Sequence, residues 1–164
     1  MQKNIQTSYS NIYKLRITGL RFFTVYGPFG RPDMSLYLFT KNILEGKKIK
    51  LFNSGKHERD FTYVDDIVSG IIRAIKNPPK EDIPFRIFNL GSDSPRKLLD
   101  YIKLIEKNIL KKAKKENLPL QKGDVIKTHA SITKASKELK YKPKVSVEIG
   151  ISRFIKWFKK YYNL

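Results

Sequence analysis

The stretch ITGLRFFTVYGPFGRPDM, residues 17–34, decides the fold that this sequence predicts. Its first half is an apolar, β-favouring run, and the glycines and prolines of residues 27–32 then turn the backbone out of that strand. Loops at the carboxyl ends of buried strands are where α/β proteins bind ligands. Four polar side chains follow here: Thr24, Tyr26, Arg31 and Asp33. The alternative interpretation is a strand and a plain turn with solvated charges.

The composition is that of a globular protein. The chain has 164 residues, of which 40% are hydrophobic and 12% aromatic, enough for one domain with a real core. No apolar run approaches the roughly 20 residues needed to cross a bilayer, and the N-terminus lacks a signal-peptide pattern. We therefore expect a cytoplasmic protein without membrane contact. With no cysteine and two separated histidines, His57 and His129, neither disulfides nor a metal site are expected.

The net charge of +19, from 34 basic and 15 acidic residues, would attract the chain to polyanions. The lysines, however, occupy the polar sides of helical patterns, and no known nucleic-acid-binding motif is present. We therefore predict a solvated lysine-rich surface and no specific nucleic-acid partner. A basic module that binds polyanions stays open as the alternative.

Periodicity and turn residues predict alternating helices and strands. Helices are expected near residues 2–13, 35–46, 66–77, 96–111, 131–140 and 146–162. Strands are expected near residues 15–25, 48–52, 59–64 and 85–90. Asp65 and Asp66 are expected to cap the third helix and to put negative charge at its start, and Gly46 is expected to end the second helix. A basic linker is expected between residue 111 and the segment LPLQKGDV, residues 118–125.

Four motifs in order carry a family resemblance. They are RFFTVYGPFGRPDM (residues 21–34), HERDFTYVDDIVSGI (57–71), FNLGSDSPRKLLDYI (88–102) and LPLQKGDV (118–125). Together they resemble the extended short-chain dehydrogenases that act on nucleotide sugars, and most closely the UDP-glucuronate 4-epimerases. The resemblance implies an α/β protein that forms the C-terminal part of an NAD(P)-binding Rossmann-like fold. Lys122 departs from the family's proline, which puts the geometry of that loop in question.

The resemblance also implies roles for individual side chains. Arg59 would contact the pyrophosphate, Phe52 would stack beside the uracil, and Asp124 would accept a hydrogen bond from a ribose hydroxyl. Gln121 would lie beside the phosphates, and Phe22 would contact the cofactor. The alternatives are a surface ion pair of Arg59 with an acidic neighbour and an ordinary core position for Phe52.

Thr24 and Arg31 are expected to select the sugar. In the UDP-glucuronate epimerases that the motif resembles, this threonine and arginine hold the carboxylate of the sugar. Burying that carboxylate without a charged partner would cost several kcal/mol. A neutral hexose has no such need, so the pair should favour UDP-glucuronate over UDP-glucose. The alternative is a surface pair of Arg31 with Asp33.

The resemblance further implies a division of the chain and a missing part. Residues 1–30 and about 65–95 would belong to the Rossmann domain, and about 31–64 and 96–164 mostly to the substrate domain. The sequence contains no Gly-x-x-Gly-x-x-Gly turn for NAD. Tyr37 and Lys41 fit the catalytic Tyr-x-x-x-Lys spacing, but the family's pair precedes the strand that carries Arg-Phe-Phe-Thr. We interpret their spacing as coincidence, so no catalytic residue is predicted.

The chain is therefore expected to be the C-terminal half of an enzyme that converts UDP-glucuronate to UDP-galacturonate through a 4-keto intermediate with NAD. Alone it should neither bind NAD nor turn over the sugar, and it should be marginally stable or self-associating. A separately encoded N-terminal half and a homodimer are the expected partners. Another nucleotide-sugar epimerase or dehydratase stays open as the alternative.

Overall fold

The structure is a computed structural model that describes residues 2–82 and 84–164. Within them lie the α-helices α1 Gln2–Tyr13, α2 Ser35–Leu44, α3 Val64–Lys76, α4 Leu98–Ile109, α5 Thr133–Leu139 and α6 Val147–Tyr161. The strands are β1 Ile17–Phe22, β2 Thr24–Tyr26, β3 Lys48–Phe52, β4 Glu58–Arg59, β5 Phe61–Tyr63, β6 Phe85–Leu90, β7 Arg96–Lys97 and β8 Lys114–Leu118. The mixture of helices and strands is that of the predicted α/β class.

The strands pair mostly in parallel, as the Rossmann-like prediction requires. β1 runs parallel to β6 over its whole length, and β2 runs parallel to β5. The predicted strand at 15–25 is divided because β2 leaves β6 and joins β5; the Phe23 amide still donates to the Leu90 carbonyl at 3.2 Å. The predicted strand at 59–64 is likewise divided at Asp60.

The expected basic linker was wrong in part, because residues 114–118 form β8. This strand pairs in parallel with β3, and Lys114 lies opposite Lys48. The carboxylate of Glu106, only 6% exposed, accepts a hydrogen bond from the Ala113 amide at 2.9 Å, just before the strand begins. Lys115 Nζ lies 3.7 Å from the same carboxylate, which offsets some of the positive charge of this segment.

Two hydrophobic clusters form the core. The larger joins α2, α4 and α6 to β3 and β5; Tyr101 and Phe61 stack at 3.8 Å between centroids within it. The smaller joins α3, α5 and β6 around Phe88 and Tyr141. The division into Rossmann and substrate domains stays a prediction, although the second cluster packs residues 130–141 against α3 and β6.

A buried carboxylate at the start of α3 connects two distant segments of the chain by hydrogen bonds. Asp65 and Asp66 lie in the first turn of α3, as predicted, but no side chain caps the helix. Asp66 therefore does not act as a cap. Its buried carboxylate instead accepts the amides of Lys144 and Val145, at 2.9 and 3.0 Å, and so fixes the segment before α6. Gly46, with φ +69°, follows α2 as predicted, because glycine adopts this left-handed conformation readily.

Apolar side chains on α1, β1 and α3 are left exposed. Ile12 is 67% exposed, Phe22 50% and Ile75 73%. β1 pairs with β6 on one edge and with no described strand on the other. Within the described residues, no helix has the length and apolar character to span a membrane, and no cluster of side chains could hold a metal ion.

Candidate functional site

A cavity of about 560 Å³ opens beside β3 and α2. Small-molecule sites in proteins have volumes of about 300–1,000 Å³, so the space fits a ligand of ordinary size. The side chains around it that bear on function are Thr24, Asp33, Phe52, His57, Arg59 and Asp124. Four of the residues predicted from the sequence therefore meet in one place.

One face of β3 forms part of the cavity wall. Side chains alternate along a strand, so Lys48, Lys50 and Phe52 share a face while Ile49 and Leu51 are buried in the core. The wall thus combines two ammonium groups with one aromatic ring. Such a combination suits a ligand that carries both negative charge and a flat ring.

Arg59 and Asp124 form an ion pair in this cavity. Arg59 Nη2 donates to Asp124 Oδ1 at 3.0 Å, and the two side chains are 19% and 30% exposed. Arg59 Nη1 also donates to the carbonyls of Glu58 and Ile126, both at 3.1 Å. The alternative interpretation, a surface ion pair of Arg59 with Glu58 or Asp60, therefore does not hold. The guanidinium is held in a fixed position, as a phosphate-binding arginine needs to be.

Backbone pairing brings Asp124 next to Arg59, 65 residues earlier in the sequence. The Glu58 amide donates to the Ile126 carbonyl at 2.9 Å, and the Thr128 amide donates to the Glu58 carbonyl at 3.1 Å. This short parallel bridge fixes the end of the LPLQKGDV loop beside β4. The departure at Lys122 does not prevent it, since the Asp124 amide still closes a turn on the Gln121 carbonyl at 3.1 Å.

His57 is a cavity residue that the sequence analysis missed. Its side chain is 5% exposed, and Nε2 lies 3.0 Å from Asp124 Oδ2, close enough for an ion pair but without the alignment of a hydrogen bond. The Leu98 amide donates to the His57 carbonyl at 2.8 Å and fixes the backbone to the start of α4. The sequence did hold one indication that His57 belongs to the site: it lies two residues before Arg59, and residues two apart in an extended chain share a face.

Thr24 lines the large cavity, whereas Arg31 does not. Thr24 lines the large cavity and also a water-sized cavity of about 20 Å³ next to it, which Arg31 lines too. The guanidinium of Arg31 pairs with Asp33, Nε to Oδ1 at 3.0 Å, and is 75% exposed. Hydrogen bonds from Arg31 lower the pKa of Asp33, so the pair is charged near neutral pH. Asp33 itself lines the large cavity.

The remaining predicted residues lie outside the cavity wall. Gln121 is exposed on the loop before Asp124, and Phe22 is half-exposed at the carboxyl end of β1. Tyr37 and Lys41 lie on α2, after the strand, and line a different cavity, where the hydroxyl of Tyr37 hydrogen-bonds that of Tyr162. The interpretation of their spacing as coincidence stays a prediction.

The parallel strand pairs and the charged, aromatic cavity define an α/β protein with a candidate site for an anionic, ring-bearing ligand. The model of the NAD dependent epimerase/dehydratase family matches residues 1–91. The chain belongs to this family.

Two relatives and one solved structure extend the similarity over nearly the whole chain. Uncharacterized protein MJ1055 of Methanocaldococcus jannaschii is 54% identical over 92% of this chain and 45% of its own length. UDP-glucuronate 4-epimerase 5 of Arabidopsis thaliana is 47% identical over 98% of this chain and 40% of its own. The UDP-glucuronic acid 4-epimerase of Bacillus cereus, solved with UDP-glucuronic acid and NAD, is 35% identical with a TM-score of 0.89; the match covers 98% of this chain and 50% of that one. The chain thus spans about half the length of the proteins it matches.

Proposed function

We propose that this chain provides the nucleotide-sugar site of a UDP-glucuronate 4-epimerase. The convergence of Phe52, Arg59 and Asp124 in one cavity carries the proposal. The guanidinium binds the diphosphate, the aromatic ring packs against the uracil, and the carboxylate accepts from a ribose hydroxyl. Lys48 and Lys50 add positive charge along the same wall, which favours a dianionic group. Similarity to UDP-glucuronate 4-epimerases supports the choice of ligand.

The described residues do not fit a cradle for the pyrophosphate of NAD. Such a cradle needs a glycine turn that leads from a strand directly into a helix. Gly27 and Gly30 follow β2 with the first part of that spacing, but α2 begins only at Ser35. A Cβ at Gly27 would lie 2.6 Å from Val64 Cγ1, so this glycine serves packing. We assign no reaction step through NAD to the residues of this chain.

In the proposed enzyme, NAD and the acid/base groups come from an N-terminal Rossmann segment, in the same or a separate polypeptide. The exposed apolar side chains of α1 and β1, together with the unpaired edge of β1 among the described strands, support a packing surface for that segment. Phe22, at the carboxyl end of β1, would lie at this boundary and contact the cofactor. Gln121 would approach the phosphates from the loop before Asp124, and homodimer formation is proposed for the complete enzyme.

Removing the ring of Phe52 tests the proposed ligand. Phe52→Ala is expected to weaken UDP binding by about 5- to 150-fold, because base–aromatic stacking contributes about 1–3 kcal/mol. Binding of inorganic pyrophosphate should not change, since it has no base to stack. Titration calorimetry of the chain with both ligands measures this. Phe29→Ala is the matched control, because Phe29 is 80% exposed and packs on Trp157 outside the cavity. Equal losses for the two ligands would contradict a uracil contact at Phe52.

The sugar carboxylate is proposed to bind Thr24 and Arg31. Arg31 must then leave Asp33, a change that is easy for a pair so exposed. The ion pair of Arg31 with Asp33 in the structure also favours a second candidate function. This candidate is an epimerase or dehydratase that acts on a neutral nucleotide hexose, and in it Arg31 stays paired with Asp33.

Arg31→Ala separates the two candidates. In the chain joined to a matching N-terminal half, we expect about 10- to 100-fold weaker binding of UDP-glucuronate and unchanged binding of UDP-glucose, since one charge-assisted contact is worth about 1.5–3 kcal/mol. Asp33→Asn should instead strengthen the binding of UDP-glucuronate, because it frees the guanidinium of Arg31. Equal effects of Arg31→Ala on the two sugars would favour the neutral hexose.

A further inference from the structure

A second cavity, of about 590 Å³, lies where the C-terminal parts of α2, α4 and α6 meet. It is about as large as the cavity of the proposed nucleotide site and shares no lining residue with it. Tyr37 and Lys41 of α2 line this second cavity, whereas Leu38 and Asn42 line the other, so the helix separates the two. The side chains that bear on a ligand are three aromatic rings and three ammonium groups: Tyr37, Phe158, Tyr162, Lys41, Lys111 and Lys159.

The aromatic rings pack on one another and form a fixed wall of this cavity. The ring centroid of Tyr37 lies 5.2 Å from that of Phe158 and 6.3 Å from that of Tyr162, both edge to face. The hydroxyls of Tyr37 and Tyr162 also hydrogen-bond each other. Phe158 is buried and belongs to the larger hydrophobic cluster, so the wall is anchored in the core. Such a wall suits a ligand with a planar ring.

The ammonium groups come from three separate parts of the chain. Lys41 and Lys159 lie in the last turns of α2 and α6, and Lys111 lies just after α4. Lys111 Nζ donates to a backbone carbonyl at the end of α2 at 3.2 Å, and none of the three forms an ion pair with a described carboxylate. Glu45, the one acidic side chain among the described lining residues, pairs instead with Lys47 at 2.7 Å, which holds its pKa below the usual range. The cavity therefore has an excess of positive charge, which favours an anion.

The electrostatics of helix ends explain only part of this arrangement. Positive charge is favourable at the C-terminus of any helix, which explains why a lysine lies near each of these ends. It does not explain why the three lysines line one cavity of ligand size together with a wall of aromatic rings. Like charges around one cavity repel one another, and an anion bound among them relieves that repulsion.

We propose that this cavity binds an organic anion that carries a planar ring and is about the size of a mononucleotide. The planar part packs against the aromatic wall, and the ammonium groups contact the anionic part. The volume lies within the range of about 300–1,000 Å³ that is usual for small-molecule sites. Two kinds of molecule have this chemistry, a free nucleotide and an aromatic acid without a nucleoside, and the experiment contains a probe for each.

The probes are AMP and naphthalene-2-sulfonate. Inorganic sulfate and naphthalene-2-sulfonamide are the controls, since the first keeps only the charge and the second only the ring. Binding is followed by nuclear magnetic resonance of leucine and isoleucine methyl groups, because Leu44, Ile109 and Leu164 line this cavity whereas Leu38 and Leu98 line the other. We expect at least one probe to shift the first set of signals to saturation, with much weaker effects of both controls. The tighter probe identifies the kind of anion.

Removing two of the positive charges tests the contacts. Lys41→Gln combined with Lys159→Gln should weaken binding of the probe by about 2- to 30-fold, the effect of losing two exposed charge contacts. Lys137→Gln combined with Lys142→Gln is the matched control, because it removes the same charge from exposed positions that line neither cavity. Its affinity should equal that of the parent.

Three results would overturn the inference. They are the absence of shifts at this cavity with either probe, shifts of equal size with sulfate or the sulfonamide, and equal losses of affinity in the two double variants. Failure of UDP to bind at the other cavity would instead overturn the proposed function. The two outcomes are independent, because no residue lines both cavities.

Discussion

Arg59→Ala is expected to weaken binding of UDP by about 100-fold. The guanidinium is proposed to make two charge-assisted hydrogen bonds to the diphosphate, each worth about 1.5–3 kcal/mol, and 1.4 kcal/mol corresponds to a factor of ten. The carbonyls of Glu58 and Ile126 hold Nη1 in place before the ligand arrives. Little conformational entropy is therefore lost on binding, but the diphosphate displaces Asp124 from the guanidinium, and the loss of that ion pair offsets part of the gain. Titration calorimetry measures the change.

Two variants make this prediction specific. Arg59→Lys keeps one positive charge but cannot form two parallel bonds, so it should lie between the parent and Arg59→Ala. Arg96→Ala is the matched control, because Arg96 lies opposite Arg59 in the β4–β7 ladder and does not line the cavity. If Arg96→Ala costs as much affinity as Arg59→Ala, general positive charge and not a specific contact binds the nucleotide.

Asp60→Ala is expected to lower the free energy of unfolding by about 3–5 kcal/mol, a large part of a typical total of about 5–15 kcal/mol. The side chain is 0% exposed. Its carboxylate accepts from the amide and hydroxyl of Ser92 at 2.7 and 2.9 Å, from the Ala130 amide at 3.1 Å and from the Thr62 hydroxyl at 3.2 Å. Removing the carboxylate leaves the buried donors of Thr62 and Ala130 without this partner, at about 1–3 kcal/mol each, whereas the partly exposed Ser92 groups can bond to water instead. Urea unfolding measures the loss.

The controls for Asp60 distinguish the buried network from charge alone. Asp60→Asn keeps one acceptor oxygen and should cost less than Asp60→Ala. Asp65→Ala, in the same motif, should cost no more than about 1 kcal/mol, because Asp65 is 66% exposed and acts mainly through the helix N-terminus. A similar loss for Asp65→Ala and Asp60→Ala would contradict the role of the buried carboxylate. The network matters to the site because it fixes the residue that directly follows Arg59.

Local patterns predicted much of the fold. The alternation of KIKLF placed β3 correctly, and glycine at position 46 marked the end of α2. The parallel strand pairs agree with the Rossmann-like prediction made from the motifs. β8 was missed because a strand rich in lysine has no apolar alternation; its formation depends on β3 and on the buried carboxylate of Glu106. The hydrogen-bond partners of the Asp66 carboxylate were missed for a related reason, since they lie 78 and 79 residues away in the sequence.

The candidate site was predictable to a similar degree. Phe52, Arg59 and Asp124 were named from the family resemblance. A short bridge between Glu58 and Lys127 brings Asp124 to Arg59, and Phe52, at the end of β3, lines the same cavity. His57 was missed because a single histidine in a sequence gives no sign of burial, and only the folded chain puts it beside Asp124. The role of Arg31 stays a prediction, because its partner in the structure is two residues away.

A crystal structure of this chain with UDP tests the central claim most directly. We predict that the diphosphate replaces Asp124 on at least one nitrogen of Arg59, that the uracil lies against Phe52, and that a ribose hydroxyl donates to Asp124. UDP bound outside this cavity, or bound within it while the Arg59–Asp124 pair stays intact and Phe52 stays uncovered, would contradict the account.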